Sequence, residues 1–182
     1  MSEGPVGRPL WIPFVALAVT VAVADQLTKA WLVSFLAPGQ STRVVDDLVR
    51  LVHAQNTGGL FGLLRGYALP FGLVSLVAIS AIVVFHAKAG RSPVLSVALG
   101  LLLGGAIGNL IDRLRLEYVV DWVDMGIGSF RWYTFNVADA AISASLALLL
   151  AMSLWPWVAE RLGRGRATRE RGRRDGAAAE HG

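Results

Sequence analysis

Two acidic residues in apolar surroundings are the first candidates for chemistry in this sequence. Asp121 lies inside the apolar run 119–123, and Asp139 lies where a second long apolar run begins. Ionised carboxylates are costly to keep close to lipid, so both positions indicate a function. Two carboxylates in a partly desolvated site tend to share one proton, so one can activate a water while the other polarises a carbonyl. The pair therefore predicts aspartyl-protease chemistry, which requires no cysteine, serine triad or metal.

Each acid also has a competing interpretation. Asn136 followed three residues later by Asp139 is typical of a helix capping box, and the helix dipole favours negative charge there. If Asn136 and Asp139 are considered alone, this helix-capping interpretation is stronger than a catalytic one. Asp121 inside an apolar run is what favours catalysis. Spacing alone leaves Asp124 as an alternative to Asp121.

Two further polar groups lie inside apolar stretches. Asp25 and Lys29 are four residues apart, so on a helix they can form a salt bridge that lowers the cost of both charges. That pair either fixes the helix position or orients a site at the outer end of the helices. Asn109, Asp112 and Arg113 stand within one helical turn at the end of another stretch, and the donor fork of Arg113 suits a carboxylate or a substrate carbonyl.

The composition is that of an integral membrane protein. Of 182 residues, 54% are hydrophobic and only 16% are charged, which is too apolar for an ordinary soluble domain. There is no cysteine, which excludes disulfides, thiol catalysis and thiolate metal sites. Seven arginines within 161–174 contribute to a net charge of +4, and such a terminal block favours cytoplasmic retention and anionic lipid headgroups over nucleic acid.

Four apolar stretches have about the 20 residues that a membrane-spanning helix requires. We predict spans at about 10–36, 67–87, 94–111 and 137–158. Lys88 and Arg91 lie between the second and third spans, so the positive-inside rule places both termini in the cytoplasm. The alternative is that 10–24 is the core of a cleaved secretory signal, but only Arg8 precedes it and apolar character resumes beyond Lys29.

The predicted fold class is an all-α membrane protein with four transmembrane helices. Short β-prone pairs within 44–52, followed by turn-forming residues at 56–59, predict a small extracytoplasmic β-element between helices one and two. We predict one four-span domain over 1–160. The segment 161–182 is predicted to be a basic, disordered cytoplasmic tail because it has too few apolar residues to pack.

Five ordered blocks resemble the lipoprotein signal peptidase family, also called signal peptidase II. Each block alone is a weak signal, but their order and their placement on four spans make the resemblance specific. In Asn56-Thr57-Gly58-Gly59, Gly59 stands where alanine is more usual. The blocks are Asp25-Gln26-Leu27-Thr28-Lys29, Asn56-Thr57-Gly58-Gly59-Leu60-Phe61, Gly104-Gly105-Ala106-Ile107-Gly108-Asn109-Leu110-Ile111-Asp112-Arg113, Val119-Val120-Asp121-Trp122 and Phe135-Asn136-Val137-Ala138-Asp139.

The resemblance implies an intramembrane aspartyl endopeptidase of the bacterial cytoplasmic (inner) membrane. It would cleave the signal peptide from diacylglyceryl-modified prolipoproteins just before the lipidated cysteine, near the outer leaflet and without metal or cofactor. Its partners would be the prolipoprotein substrate and membrane lipid, with globomycin-type peptides as inhibitors. By this resemblance Asp121 and Asp139 are the catalytic dyad. The residues that shape or support the site would be Asp25, Lys29, Asn56, Gly105, Asn109, Arg113 and Asn136.

Two other function classes remain open at this stage. Membrane acids beside a salt-bridged lysine also mark ion pathways, which would fit a small proton-coupled carrier. Four spans without an inverted repeat argue weakly against a carrier. A structural membrane subunit would use its glycines for helix packing alone. Cleavage of a lipoprotein precursor by the purified protein would exclude both.

Overall fold

The computed structural model describes residues 8–57 and 68–155. Within these ranges it contains four helices that are long and apolar enough to cross a membrane. The chain divides into two compact units, Met1–Leu146 and Ala147–Gly182, and every contact reported below lies in the first. The predicted tail 161–182 and the glycines at 58–59 fall outside the described residues. The helices are α1 Trp11–Val33, α2 Ala68–Ala89, α3 Pro93–Leu116 and α4 Val137–Trp155.

The four predicted spans correspond to these four helices, with a difference in α3. Ser92 caps its start by accepting a hydrogen bond from the Leu95 N–H, and Pro93 occupies the first turn, where a missing N–H costs nothing. The helix continues to Leu116 and ends at Glu117, which has a left-handed φ of 65°. Asp112 therefore lies inside the helix, one turn before its end.

Helix α3 is the centre of the helical part, because it packs against both α1 and α2. In the most apolar 18-residue stretch of α3, 50% is buried, compared with 28% in α1 and 17% in α2. Its glycines permit this packing. A Cβ on Gly104 would lie 2.7 Å from the Ala18 carbonyl oxygen, and one on Gly105 would lie 2.5 Å from the Ala138 carbonyl oxygen. The close helix approach predicted from the glycines is confirmed, and Gly105 brings α3 against the first turn of α4.

A four-stranded antiparallel sheet accompanies the helices, in the order β1-β2-β3-β4. The predicted strands between α1 and α2 are present as β1 and β2. Two further strands come from the connection between α3 and α4, for which the sequence analysis predicted no strand. The strands are β1 Ser41–Val45, β2 Val49–Asn56, β3 Val119–Ile127 and β4 Phe130–Arg131.

The sheet packs against the end of α1. Leu32, Leu36 and Val120 form a buried cluster, against which Leu51 and Trp122 pack. The pairing of β2 with β3 is irregular between Leu51 and the next paired residue, Ala54, which lies opposite Asp121. This packing fixes β3, and with it Asp121, next to the ends of the helices.

Candidate active site

Asp121 and Asp139 line the same cavity, which has a volume of about 1010 Å³. Asp121 is on β3, and Asp139 is in the first turn of α4. Three other residues from the predicted site also line this cavity, namely Asn56, Asn109 and Arg113. The rest of the wall is mainly apolar. The strands and the segment before α4 contribute to it, and α2, α3 and α4 provide Phe71, Val74, Leu102, Ala106, Ile142 and Leu146 among others.

Side-chain amides connect the two carboxylates. Asp121 accepts hydrogen bonds at both oxygens, from Asn136 Nδ2 at 2.8 Å and from Asn56 Nδ2 at 3.0 Å. Asp139 Oδ1 accepts one from Asn109 Nδ2 at 2.8 Å. Asn136 Nδ2 also donates to Asn109 Oδ1 at 3.2 Å, so a continuous series of hydrogen bonds connects the two acids. The structure therefore brings together both predicted dyad residues and three predicted supporting asparagines.

The helix capping box predicted at the start of α4 is confirmed. Asn136 Oδ1 accepts a hydrogen bond from the Asp139 N–H at 2.9 Å, and Asp139 Oδ2 accepts one from the Asn136 N–H at 3.2 Å. These bonds satisfy N–H groups that a helix start leaves without partners. Asp139 uses one oxygen for the cap and the other for Asn109. The two interpretations of Asp139 are therefore compatible.

The electrostatic surroundings of Asp121 favour its protonated form. Burial raises its pKa from the usual 3.8 to about 7, and the negative charge of Asp139 adds to that rise. The hydrogen bonds from Asn56 and Asn136 and the charge of Lys29 act in the opposite direction. Desolvation outweighs them because it penalises the ionised carboxylate directly. Asp121 can therefore carry a proton close to neutral pH.

Arg113 supplies a positive charge to the cavity that both acids line. Its Nη1 donates to the backbone carbonyl of Asn109 at 3.2 Å, and its guanidinium carbon lies 5.9 Å from the centre of the Phe71 ring. The cation–π contact and the backbone hydrogen bond hold a planar group that has five N–H donors in all. Such a group can bind a carbonyl or carboxylate oxygen of a bound peptide.

Asp25 and Lys29 form the predicted salt bridge, with Lys29 Nζ 2.7 Å from Asp25 Oδ2. Lys29 also pairs with Asp112 at 2.9 Å and donates to Asn109 Oδ1 at 3.1 Å. The sequence reasoning did not assign Asp112 to the site. Asp112 is three residues from Asn109 on α3, and residues at that spacing share a helix face, so this spacing could have indicated that Asp112 belongs to the site.

Asp124 lies away from the two acids that line the cavity. Alternate residues of a strand point to opposite faces, so Asp124, three positions beyond Asp121, belongs to the other face of β3. Its carboxylate pairs with Arg131 at 2.8 Å. Within residues 8–57 and 68–155, no three histidine or acidic side chains converge as a metal site would require.

Comparison with known proteins identifies the family. The sequence profile of signal peptidase (SPase) II matches residues 17–155. The chain belongs to the signal peptidase II family. Among its relatives, the lipoprotein signal peptidase of Caulobacter vibrioides is 44% identical over 157 residues, covering 82% of this chain and 90% of that protein. The lipoprotein signal peptidase of Moorella thermoacetica is 39% identical over 146 residues, covering 80% and 95%.

Two solved structures share this fold. A bacterial membrane enzyme determined by the in meso method at 2.3 Å resolution superposes with a TM-score of 0.74 at 29% identity, covering 82% of this chain and 91% of that one. A second, determined at 1.9 Å, gives a TM-score of 0.74 and covers 81% and 96%. Family membership and the four apolar helices make this protein a multi-pass membrane protease.

Proposed function

We propose that this protein is an aspartyl endopeptidase that removes the signal peptide from diacylglyceryl-modified bacterial prolipoproteins. Cleavage falls just before the lipidated cysteine. The relatives named lipoprotein signal peptidase support the substrate class. The observation that carries the mechanism is that Asp121 and Asp139 line one cavity and are joined through the amides of Asn136 and Asn109.

In the proposed reaction the two carboxyl groups share one proton and hold the attacking water. The ionised group removes a proton from the water, whose oxygen attacks the scissile carbonyl carbon, while the protonated group donates to the carbonyl oxygen. The tetrahedral intermediate then loses the amine, as the C–N bond breaks and a proton passes to nitrogen. The raised pKa of Asp121 suits this step near neutral pH, although the single proton belongs to the pair.

The other cavity residues have roles that follow from their contacts. Asn56 and Asn136 orient the Asp121 oxygens, and Asn109 orients Asp139. Holding these groups in place before the substrate arrives lowers the entropic cost of reaction. Arg113 binds a carbonyl of the substrate backbone. The signal helix enters sideways from the bilayer and lies against the apolar wall, while the diacylglyceryl group remains in lipid.

The proposed location is the bacterial cytoplasmic (inner) membrane, with both termini in the cytoplasm and the dyad near the outer leaflet. Lys88 and Arg91 lie just before α3 begins, whereas β3 with Asp121 follows its other end. The positive-inside rule assigns the basic connection to the cytoplasm, so the opposite end of α3 and the sheet face outward.

The direct test uses purified protein in detergent or nanodiscs with a synthetic precursor peptide. One peptide carries diacylglycerol on its cysteine, and the control peptide has the same sequence without lipid. We expect mass spectrometry to show cleavage of the lipidated peptide at the bond before the cysteine, and inhibition by a globomycin-type peptide. Equal cleavage of both peptides, or cleavage at another bond, would contradict the proposal.

A further inference from the structure

For each aspartate of the proposed dyad, the backbone N–H of the preceding residue donates a hydrogen bond to another buried carboxylate, a different one in each case. The N–H of Val120, which precedes Asp121, donates to Asp112 Oδ2 at 3.0 Å. The N–H of Ala138, which precedes the other aspartate, donates to Asp25 Oδ1 at 3.0 Å. Adjacent Cα atoms are about 3.8 Å apart and the peptide between them is planar, so a fixed N–H constrains the position of the next residue.

A single ammonium group joins these two carboxylates. Lys29 Nζ lies 2.7 Å from Asp25 Oδ2 and 2.9 Å from Asp112 Oδ2. The exposed fraction of each side chain is between 0% and 4%. In such surroundings an ion pair is weakly screened, so its members stay at contact distance. The three residues, called here the lysine bridge, run from α1 to α3.

The lysine bridge also connects with the amides that contact the dyad. Lys29 donates to Asn109 Oδ1 at 3.1 Å, and Asn109 donates to Asp139. The second oxygen of Asp112 accepts from Gln26 Nε2 at 2.9 Å. Asp112 therefore accepts from three donors, of which one belongs to the strand that carries Asp121.

Helix packing alone does not account for this arrangement. Replacing a buried ion pair by apolar side chains of similar volume is often neutral or stabilising, so stability does not require charges between α1 and α3. Here each acid accepts a hydrogen bond from outside those two helices, Asp112 from β3 and Asp25 from α4. The bonds reach the two elements that carry the dyad, at corresponding positions in both.

We propose that Asp25, Lys29 and Asp112 form a positioning device that sets the separation of Asp121 and Asp139. This inference rests on the proposed function, since the separation matters only if the two acids act together. A misplacement of about 1 Å in a reacting group can lower a rate by about 100-fold. The lysine bridge does not line the cavity wall, so its loss acts on kcat and leaves KM almost unchanged.

The test separates positioning from simple stability with two variants. Lys29→Met leaves two buried carboxylates without a cation, and it lowers both the melting temperature and kcat. The triple variant D25N/K29M/D112N removes all three charges and keeps an amide oxygen to accept from each backbone N–H. We expect it to recover the melting temperature while kcat on the lipidated peptide stays about 100-fold low and KM changes less than about twofold.

A third variant keeps the test decisive if the triple variant does not fold. Asp112→Asn retains the pair of Asp25 with Lys29, but one amide oxygen replaces two carboxylate oxygens that serve three donors. A large loss of kcat in folded protein is expected. Asp124→Asn is the matched control, because it makes the same Asp-to-Asn change at a carboxylate on β3 that pairs with Arg131 and touches no member of the lysine bridge.

The outcomes distinguish the two proposals. Recovery of kcat together with melting temperature in the triple variant, or wild-type kcat in folded Asp112→Asn protein, would overturn the positioning role and leave the peptidase function intact. Failure of the unmodified protein to cleave the lipidated peptide would count against the proposed function itself.

Discussion

Two clusters of opposite charges in this protein have similar geometry and contrasting surroundings. In the lysine bridge, Lys29 and Asp25 are 2.7 Å apart with side chains at most 4% exposed. On the sheet, Arg50 and Asp47 are also 2.7 Å apart, with side chains 29% and 53% exposed. Attraction between charges grows as the dielectric falls, but so does the penalty for leaving one charge alone. The two ion pairs have equal distances, but mutations in them should therefore have very different effects on stability.

The second cluster, called the exposed cluster, joins two hairpins of the sheet. It consists of Arg43, Asp47, Arg50, Asp124 and Arg131. Arg131 pairs with Asp124 on β3, and its Nη1 donates to the carbonyl of Asp47 in the β1–β2 turn. The hydrogen bond from Arg50, followed by the charge of Arg43, lowers the pKa of Asp47. Water competes for the ion pairs of Asp47, whose side chain is 53% exposed, so each adds little to the free energy of unfolding. The pair of Arg131 with Asp124 is less exposed, at 21% and 16%. The exposed cluster stays within the sheet, whereas the lysine bridge joins α1 and α3 to the strand and the helix that carry the dyad.

The largest contrast is expected between two aspartates on the same strand. Asp121→Asn, like Asp139→Asn, removes a group that transfers protons, and we expect kcat on the lipidated peptide to fall by about 1,000-fold or more. Asp124→Asn affects only the exposed cluster, and its kcat should stay within about twofold. Single-turnover assays on the three variants measure this difference. A severe loss in Asp124→Asn, with normal activity in Asp121→Asn, would exchange their assigned roles.

The second contrast concerns stability. Lys29→Met leaves Asp25 and Asp112 as buried carboxylates without a cation, and we expect the free energy of unfolding to fall by about 3–5 kcal/mol. Arg131→Met is the matched change in the exposed cluster; its pair with Asp124 is partly exposed, at 21% and 16%, so the loss should be smaller than for Lys29→Met. Chemical denaturation in one detergent compares the two. Similar losses would mean that burial does not separate the clusters.

The pH dependence gives a third comparison. The folded protein holds the Asp121 proton more tightly than the unfolded chain, since the pKa is about 7 instead of 3.8. This contribution to the free energy of unfolding is therefore full at low pH and is lost as pH rises from about 4 through about 7. Asp121→Asn removes that dependence. For the active protein, kcat should fall as pH rises above about 7, because the shared proton leaves.

Salt should produce the smallest effect. Raising the ionic strength from about 0.05 M to 1 M shortens the screening length to about 3 Å, so the exposed cluster weakens while the lysine bridge does not. The effect of Arg43→Ala on the melting temperature should be small at low salt and vanish at high salt. Lys29→Met should be equally destabilising at both salt concentrations.

The sequence predicts the helices better than the sheet. Long apolar stretches identify four spans because lipid imposes a length requirement. Every residue of the run 119–123 except Asp121 is apolar, and such a short run does not distinguish a buried strand from a loop or helix segment. Val119, Val120 and Asp121 are all buried, and pairing with β2, from another part of the chain, decides their structure. Short-range sequence patterns do not contain that pairing.

Sequence patterns indicate most residues of the candidate site, but not Asp112 and not the contacts between them. Asp25 and Lys29 have a spacing that predicts their pair, because one helix carries both. Asp112 joins them from another helix, and its bond to the Val120 N–H involves a backbone group that has no sequence signature. Residue types therefore indicate which groups belong to the site. The fold determines which of them contact the dyad and which act only by holding its backbone in place.

The capping box has a consequence for which substitutions position 139 can accept. Asp139 uses one oxygen to cap α4 and the other to accept from Asn109. Glutamate would keep the acid but add a methylene group, which moves both oxygens away from their partners. Asparagine could still accept a hydrogen bond from the Asn136 N–H through its side-chain oxygen, but it supplies no carboxylate. Aspartate alone meets both requirements, so a library that randomises this codon should return a single amino acid among active clones.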